Sequence, residues 1–215
     1  SPPQASSSVG SAAGVGVARR EFISIPTQTN SVVRTVKTVP YDHVDAAPLV
    51  LLSQVLSLGY LHREIREKGG AYGGGAAANV GGGTFTFSSY RDPNQAETLR
   101  AFDNAVAWAA SGGAIGPREV EEAQLQCFKA IDSPVAPRAR GARRFAHPEL
   151  GDDERQAFRE RLLDASAADL RRVAAERLAG GGDGARAAEC IVGNVGGLEV
   201  KGWSVMTAEL KPLRD

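Results

Sequence analysis

An arginine and a tyrosine flank a run of glycines in the stretch LHREIREKGGAYGGG, residues 61–75. The pair is Arg66 and Tyr72, with Gly70 between them. Both side chains are hydrogen-bond donors, and glycine lets a bound peptide backbone approach closely. Such donors suit carbonyl oxygens and oxyanions. Each residue also has an ordinary interpretation, Arg66 as a cation in the last turn of a helix and Tyr72 as a half-buried strand residue.

The histidines do not form a zinc motif. His43, His62 and His147 are the three in the chain, and none is spaced as H-x-x-E-H, H-x-x-x-H or H-x-x-H. An H-x-E match at His62 and Glu64 is half of the zinc deaminase motif, but the P-C-x-x-C half is absent. A G-x-S-x-G serine motif is absent as well. We therefore expect no metal site and no self-sufficient catalytic centre in this chain.

The glycines and the arginine-rich segment do not indicate phosphate binding. The glycines after Lys68 lack the G-K-[ST] ending of a phosphate loop, and they follow a helix, whereas a phosphate site precedes one. The segment RARGARR, residues 138–144, could contact phosphates, but lysine plus arginine and aspartate plus glutamate both number 25. This balance gives no long-range attraction for nucleic acid or an anionic membrane. We expect neither as a partner, and no segment reaches the ~20 apolar residues of a membrane span.

The cysteines and the first residues bear on the organisation of the chain. Cys127 and Cys190 lie far apart and outside any C-x-x-C spacing, so we expect two buried free thiols. Residues 1–18 are small, polar and turn-forming, which predicts a linker or disordered segment before a single domain over residues 19–215. Because the chain opens on a linker without an initiator methionine, we expect it to be a piece of a longer polypeptide.

The elements that must position the pair follow from hydrophobic periodicity. REFISIP and SVVRTVKTV are rich in β-branched residues and predict two strands. Apolar residues at positions 49, 52, 56 and 60 predict a helix from Asp45, and a shorter helical piece, LHREIREK, ends at Gly69 and Gly70. The alternation in TFTFSSY predicts a hairpin over residues 71–90, with its turn at residues 81–83.

Capping signals predict the remaining helices. Their starts are expected at a capping box of Asn94 with Glu97, at Pro117, at Asp153 with Gln156, and at Ser166 with Asp169. A loop at 180–184 and a late strand, ECIVGNV, follow. Strands interleaved with helix pairs, without regular β-α alternation, predict an α+β fold in which a sheet carries helices packed mainly on one face.

Several motifs, in order, resemble one protein family. They are LHREIREKGGAYGGGA, then SSYRDPN with the TLRAF that follows, then KAIDSPVAPRARG leading to RQAFRERLL. Over residues 39–203 the chain is similar to the last domain of the pitrilysin, or insulinase, zinc metallopeptidases, in the presequence-degrading branch that includes falcilysin-like relatives. The resemblance implies a pitrilysin/LuxS-like metallohydrolase domain, the fourth of four that close on a chamber. Zinc would be bound by an H-x-x-E-H motif of the first domain.

The resemblance also implies roles for the pair. The motif R-x-x-x-G-x-Y matches at Arg66, Gly70 and Tyr72. Tyr72 would donate its O–H to the scissile carbonyl as it becomes an oxyanion, while Arg66 and Gly70 contact substrate backbone. The partners would be short unfolded peptides and the other domains of the same polypeptide, in the mitochondrial matrix or a plastid. The chain alone would be inactive. The alternative is a non-catalytic structural or interaction domain of the same superfamily, and an upstream H-x-x-E-H motif would decide between them.

Overall fold

The strands of the protein form one mixed sheet. The computed structural model describes residues 19–112, 115–137, 141–142, 145, 150–179, 187–195 and 201–208. Within these ranges the strands are β1 (Arg19–Ser24), β2 (Asn30–Lys37), β3 (Gly73–Asn79), β4 (Thr84–Asp92), β5 (Ala187–Gly193) and β6 (Ser204–Thr207). Their order in the sheet is β3-β4-β2-β5-β1-β6. Strand β1 runs parallel to β5 and β6, and the other neighbours are antiparallel.

The described ranges contain five α-helices, two of which continue with π-helical hydrogen bonding. The helices are α1 (Ala46–Val55), α2 (Ala96–Ala110), α3 (Pro117–Ile131), α4 (Asp152–Asp164) and α5 (Ala167–Val173). Helix α1 continues directly into the π-helical segment Leu56–Lys68, and α5 continues into Ala174–Leu178. The sequence predicted that a shorter helical piece continues through LHREIREK, and the structure confirms a continuous helix up to Lys68.

One face of the sheet carries the core. Phe22, Val32, Phe85, Phe87 and Ile191 alternate along their strands and are fully buried. Helices α1 and α2 cover this face, with the ring of Phe102 stacked on that of Phe87 at a centroid distance of 5.4 Å. A buried aromatic pair of this kind is one of the stronger contributions to the stability of a core. The predicted α+β fold, with helices on one face of a sheet, is confirmed.

The capping signals were right at some helix starts and wrong at another. Ser166 and Asp169 form the predicted reciprocal capping box of α5, and Pro117 opens α3. Helix α4 begins at Asp152, one residue before the predicted start. The capping box of Asn94 and Glu97 is wrong, because Gln95 is the N-cap residue of α2. The side-chain amide of Asn94 donates to the carbonyl oxygen of Gly69 at 2.6 Å.

The predicted hairpin is confirmed, and its first strand lies at an edge of the sheet against the π-helical segment. A Cβ at Gly74 would lie 2.8 Å from Cγ2 of Ile65, so glycine is required for this close approach. The hydroxyl of Ser57 accepts a hydrogen bond from the N–H of Ala76 at 2.8 Å and lies 2.9 Å from the carbonyl oxygen of the same residue. The outer backbone edge of β3 is thus covered at Ala76.

A buried carboxylate ties α1 to α5. Asp45, just before α1, is only 1% exposed. Its two carboxylate oxygens accept hydrogen bonds from Arg172 and Arg177, each at 2.8 Å. Burial alone would raise the pKa of Asp45, but these two arginines hold it below its ordinary range. The three residues, called the Asp45 cluster below, fix the two helices together.

Other predictions concern the thiols, the loops and membrane spans. Cys127 and Cys190 are free as predicted; Cys127 is buried, but Cys190 is only half-buried. Burial raises the pKa of the Cys127 thiol to about 11. The predicted linker at 1–18, the loop at 180–184 and the four arginines of the 138–144 segment lie outside the described residues. None of the described helices combines the length and the apolar character that crossing a bilayer requires.

Candidate functional site

Arg66 and Tyr72 lie on either side of a tight helix end. The π-helical segment Leu56–Lys68 ends there because Gly70 takes a left-handed conformation, with φ at 76°. The N–H of Gly70 donates to the carbonyl oxygen of Arg66 at 3.1 Å, and the N–H of Ala71 donates to that of Ile65, also at 3.1 Å. A left-handed glycine that satisfies the last carbonyls is a common way to end a helix. The backbone conformation that ends the helix therefore explains why residue 70, between Arg66 and Tyr72, is a glycine.

Arg66 is exposed and differs from the cations beside it. Arg63 and Lys68 both bind the carboxylate of Glu64, at 3.0 and 2.9 Å. The hydrogen bond from Lys68 is the main reason that the pKa of Glu64 lies below its usual range, although partial burial opposes the shift and Arg63 assists it. Within the described part of the chain, the guanidinium of Arg66 has no hydrogen-bond or ion-pair partner. It stands in the last turn of the helix, as predicted, and is available to a ligand.

Tyr72 is exposed, although an ordinary strand residue would be half-buried. It is 66% exposed and immediately precedes β3. Its backbone N–H donates to the carbonyl oxygen of Arg91 at 3.2 Å. Its ring packs edge-on against the ring of Tyr90, with centroids 6.1 Å apart. The backbone of Tyr72 is thus held by β4, while its side chain remains open to solvent.

Arg91 completes this surface. It is the one non-glycine residue with positive φ among the described residues, at 48°. Its Cζ lies 5.6 Å from the ring centroid of Tyr72 and 5.4 Å from that of Tyr90. Both distances fall within the range of cation–π attraction. The three side chains are called the Tyr72–Arg91–Tyr90 stack below.

The sequence did not assign a role to Tyr90 or Arg91. Both lie in the motif SSYRDPN, which contributed only to the family resemblance. An aromatic residue next to an arginine, just before an Asp-Pro turn, was the available signal. The contact with Tyr72 depends on how β3 pairs with β4, and a single sequence does not reveal that register.

The chemistry available at this site is hydrogen bonding and cationic attraction. The guanidiniums of Arg66 and Arg91 and the phenol O–H of Tyr72 can donate to carbonyl or carboxylate oxygens. Among the residues that the structure describes, no group of three or more His, Cys, Asp or Glu side chains could hold a metal ion. The site can therefore bind and polarise an oxygen-rich group such as a peptide backbone.

The fold is shared with peptidase domains. A solved structure titled as the inactive domain of a peptidase M16 from Pseudomonas fluorescens superimposes with a TM-score of 0.66 at 17% identity, covering 85% of this chain and 44% of that one. The fold is accordingly that of the M16, pitrilysin-like peptidase domains.

Sequence comparison is more specific. The family model described as PreP C-terminal domain matches residues 20–179. A protein named presequence protease, mitochondrial, from Danio rerio is 44% identical over 159 residues, which are 74% of this chain and 15% of that protein. Its namesake from Emericella nidulans is 38% identical over 195 residues, 90% of this chain and 18% of that protein. The chain belongs to the PreP C-terminal domain family, as the resemblance implied, and it spans less than a fifth of the length of these relatives.

Proposed function

We propose that this chain is the C-terminal domain of a mitochondrial zinc metalloendopeptidase that degrades short unfolded peptides, including targeting presequences. Its part is to supply a clamp of Arg66 and Tyr72 to a zinc site on the first domain. The names of the relatives support the peptidase class and the mitochondrion rather than a plastid. Peptide substrates and the other domains of the same polypeptide are the partners that this role requires.

The observation that carries the proposal is the exposure of the pair. Tyr72 is 66% exposed, and within the described part of the chain the guanidinium of Arg66 has no partner. A partnerless arginine beside an exposed tyrosine contributes little to folding, yet both groups are free to bind a ligand. The backbone hydrogen bonds around Gly70 fix the backbones from which the two side chains extend.

In the proposed mechanism, this chain contributes hydrogen bonds only. Tyr72 donates its O–H to the scissile carbonyl oxygen as negative charge develops there, which stabilises the transition state more than the ground state. Arg66 binds a substrate carbonyl nearby, and Gly70, with no side chain, leaves room for the peptide backbone. The proposal places the zinc on the first domain, as the family resemblance implies, and the residues of this chain act on the substrate alone.

The decisive test is Tyr72→Phe in the complete protease. The loss of one preorganised oxyanion donor lowers kcat by ~10²–10³, which is ~2.7–4 kcal/mol of barrier. The hydroxyl is not part of the core, so the melting temperature should stay the same. Steady-state peptide cleavage and thermal unfolding measure the two effects.

Tyr90→Phe is the matched control, because Tyr90 is a neighbouring tyrosine that is also more than half exposed, at 52%. It loses the same hydroxyl and keeps its ring, and we expect wild-type kcat. Full activity of Tyr72→Phe, or an equal loss in both variants, would refute the assigned role. The chain by itself should hydrolyse no peptide even with zinc supplied.

A further inference from the structure

We propose that Arg91 is a positioning residue for Tyr72, a role that rests on the function proposed above. Two independent features hold Tyr72 to Arg91, one through the backbone and one through the side chain. The expected effect is on the direction of the Tyr72 O–H, because the guanidinium of Arg91 lies against the Tyr72 ring.

The backbone feature is a β-bulge. In the pairing of β2 with β4, Val32 lies opposite Ser89 and Asn30 lies opposite Asp92. One residue of β2 therefore faces two residues of β4, Tyr90 and Arg91. Arg91 takes a left-handed conformation at this bulge, which is uncommon for a side chain with a Cβ. A bulge changes the direction in which side chains point. At this bulge the carbonyl oxygen of Arg91 also accepts a hydrogen bond from the backbone N–H of Tyr72 at 3.2 Å.

The side-chain feature is the Tyr72–Arg91–Tyr90 stack. The guanidinium lies within 5.6 Å of both ring centroids, and the two rings meet edge-on. Arg34 offers a contrast, because its guanidinium lies near the ring of Phe102 but also binds the carboxylates of Glu189 and Asp103. Among the described residues, the guanidinium of Arg91 has no such partner, and its contacts are the two tyrosine rings.

Residues held in an unusual backbone conformation persist where the surroundings determine them, and they concentrate at functional sites. A glycine would adopt this conformation without strain. A need for the guanidinium against the rings of Tyr72 and Tyr90 accounts for an arginine, and not a glycine, at position 91. An exposed tyrosine with a free ring would sample several rotamers, whereas an oxyanion donor has to be held in one geometry.

The test is Arg91→Gly in the complete protease. Glycine keeps the left-handed bulge and removes the guanidinium. Relief of the backbone strain offsets the lost ring contacts, so the melting temperature should change little. We expect kcat to fall roughly five- to thirtyfold, the loss that corresponds to two cation–π contacts, with little change in KM. Arg91→Lys, which keeps a cation over the rings, should recover part of that loss.

A double-mutant cycle shows whether Arg91 acts through Tyr72. In a Tyr72→Phe background, Arg91→Gly should cost no further kcat, because the hydroxyl that it positions is already gone. An additive loss in the double variant would overturn the proposal. A rise in KM at unchanged kcat would also overturn it, since that result indicates direct contact with substrate.

A spectroscopic readout separates this proposal from the proposed function. With 3-fluorotyrosine placed at position 72 of the complete protease, Arg91→Gly should narrow the ¹⁹F resonance, because the ring becomes mobile. If the line narrows while Tyr72→Phe remains fully active, the positioning holds and the proposed clamp fails. If Tyr72→Phe is impaired but the line does not change in Arg91→Gly, the clamp stands and Arg91 does not position it.

Discussion

The Asp45 cluster and the Arg66–Tyr72 surface use arginine in opposite ways. At Asp45, Arg172 and Arg177 enclose one carboxylate that is 1% exposed, and both bonds are 2.8 Å long. At the other surface, Arg66 has no partner in the described part of the chain and lies in the same turn region as an exposed tyrosine. A paired, buried cluster holds helices together, whereas exposed donors without partners are available to another molecule.

This contrast separates residues that matter for folding from residues that matter for a ligand. Removing a partner from a buried ion pair leaves uncompensated charge in the protein. Removing an exposed arginine leaves no buried charge without a partner, because water fills its place. The two regions should therefore respond differently to the same kind of substitution, and stability measurements on one should not predict activity effects on the other.

The largest stability effect is expected from Asp45→Asn. The substitution leaves two guanidiniums facing a neutral amide. The free energy of unfolding should fall by about 2–3 kcal/mol, less than the ~3–5 kcal/mol of a fully buried pair because both arginines keep some contact with water. Urea unfolding measures this loss. Glu64→Gln is the matched control, since Glu64 also binds two cations but lies at the surface, where the loss should stay below ~1 kcal/mol. Equal losses of unfolding free energy in Asp45→Asn and Glu64→Gln would contradict the contrast between the buried and the exposed ion pairs.

Acid should reduce the difference in the free energy of unfolding between the wild type and Asp45→Asn. The pKa of Asp45 is lower in the folded protein than its ordinary value of ~3.9, so its contribution is fully present above that value. The contribution is lost as pH falls through the folded pKa. Urea midpoints compared at pH 6 and then stepwise down to pH 3 should converge. A constant difference across this range would show that the carboxylate charge is not what stabilises the cluster.

Gly70→Ala should have an intermediate effect. A residue with a Cβ at a φ of 76° is strained, and the free energy of unfolding should fall by ~1–2 kcal/mol. Gly59→Ala is the matched control, because a Cβ at Gly59 meets nothing within 4 Å and the residue lies inside the π-helical segment. Alanine there should stabilise by ~0.5–1 kcal/mol. If both substitutions had the same sign, the conformational argument for Gly70 would fail.

The smallest stability effect is expected from Arg66→Ala. A partnerless surface residue should change the free energy of unfolding by less than ~0.5 kcal/mol. In the complete protease the same variant should raise the KM for peptides, because the proposed substrate contact of Arg66 is lost. Lys68→Ala, two residues away and already paired with Glu64, should leave KM unchanged. A KM equal to wild type in Arg66→Ala would separate this residue from the proposed clamp.

Much of the fold was predictable from periodicity and capping. The alternation of Phe85 and Phe87 predicted the hairpin, and Ser166 with Asp169 predicted the start of α5, because both signals are local. Strand β6 was missed, since it has four residues and, within the described ranges, its pairing is with the distant β1. The N-cap of α2 was placed one residue early, at Asn94, because the side-chain amide of Asn94 donates to the carbonyl oxygen of Gly69, a contact between residues far apart in sequence.

The candidate site was only partly predictable. Arg66, Gly70 and Tyr72 are close in sequence, so their spacing could be examined directly. The proposed role of Arg91 depends on the bulge opposite Ser31, which forms only when β2 and β4 pair. No local pattern signals a positive φ at an arginine, since arginine rarely adopts one.

The hydrogen bonds of Ser57 to Ala76 limit where a peptide can dock. An extended peptide can bind a protein by adding a strand to an exposed sheet edge. On β3, the N–H and the carbonyl oxygen of Ala76 already face the Ser57 hydroxyl, so a new strand would have to displace the helix at that point. If Arg66 and Tyr72 hold a peptide as proposed, that peptide should reach past the end of β3 and not extend the sheet along it.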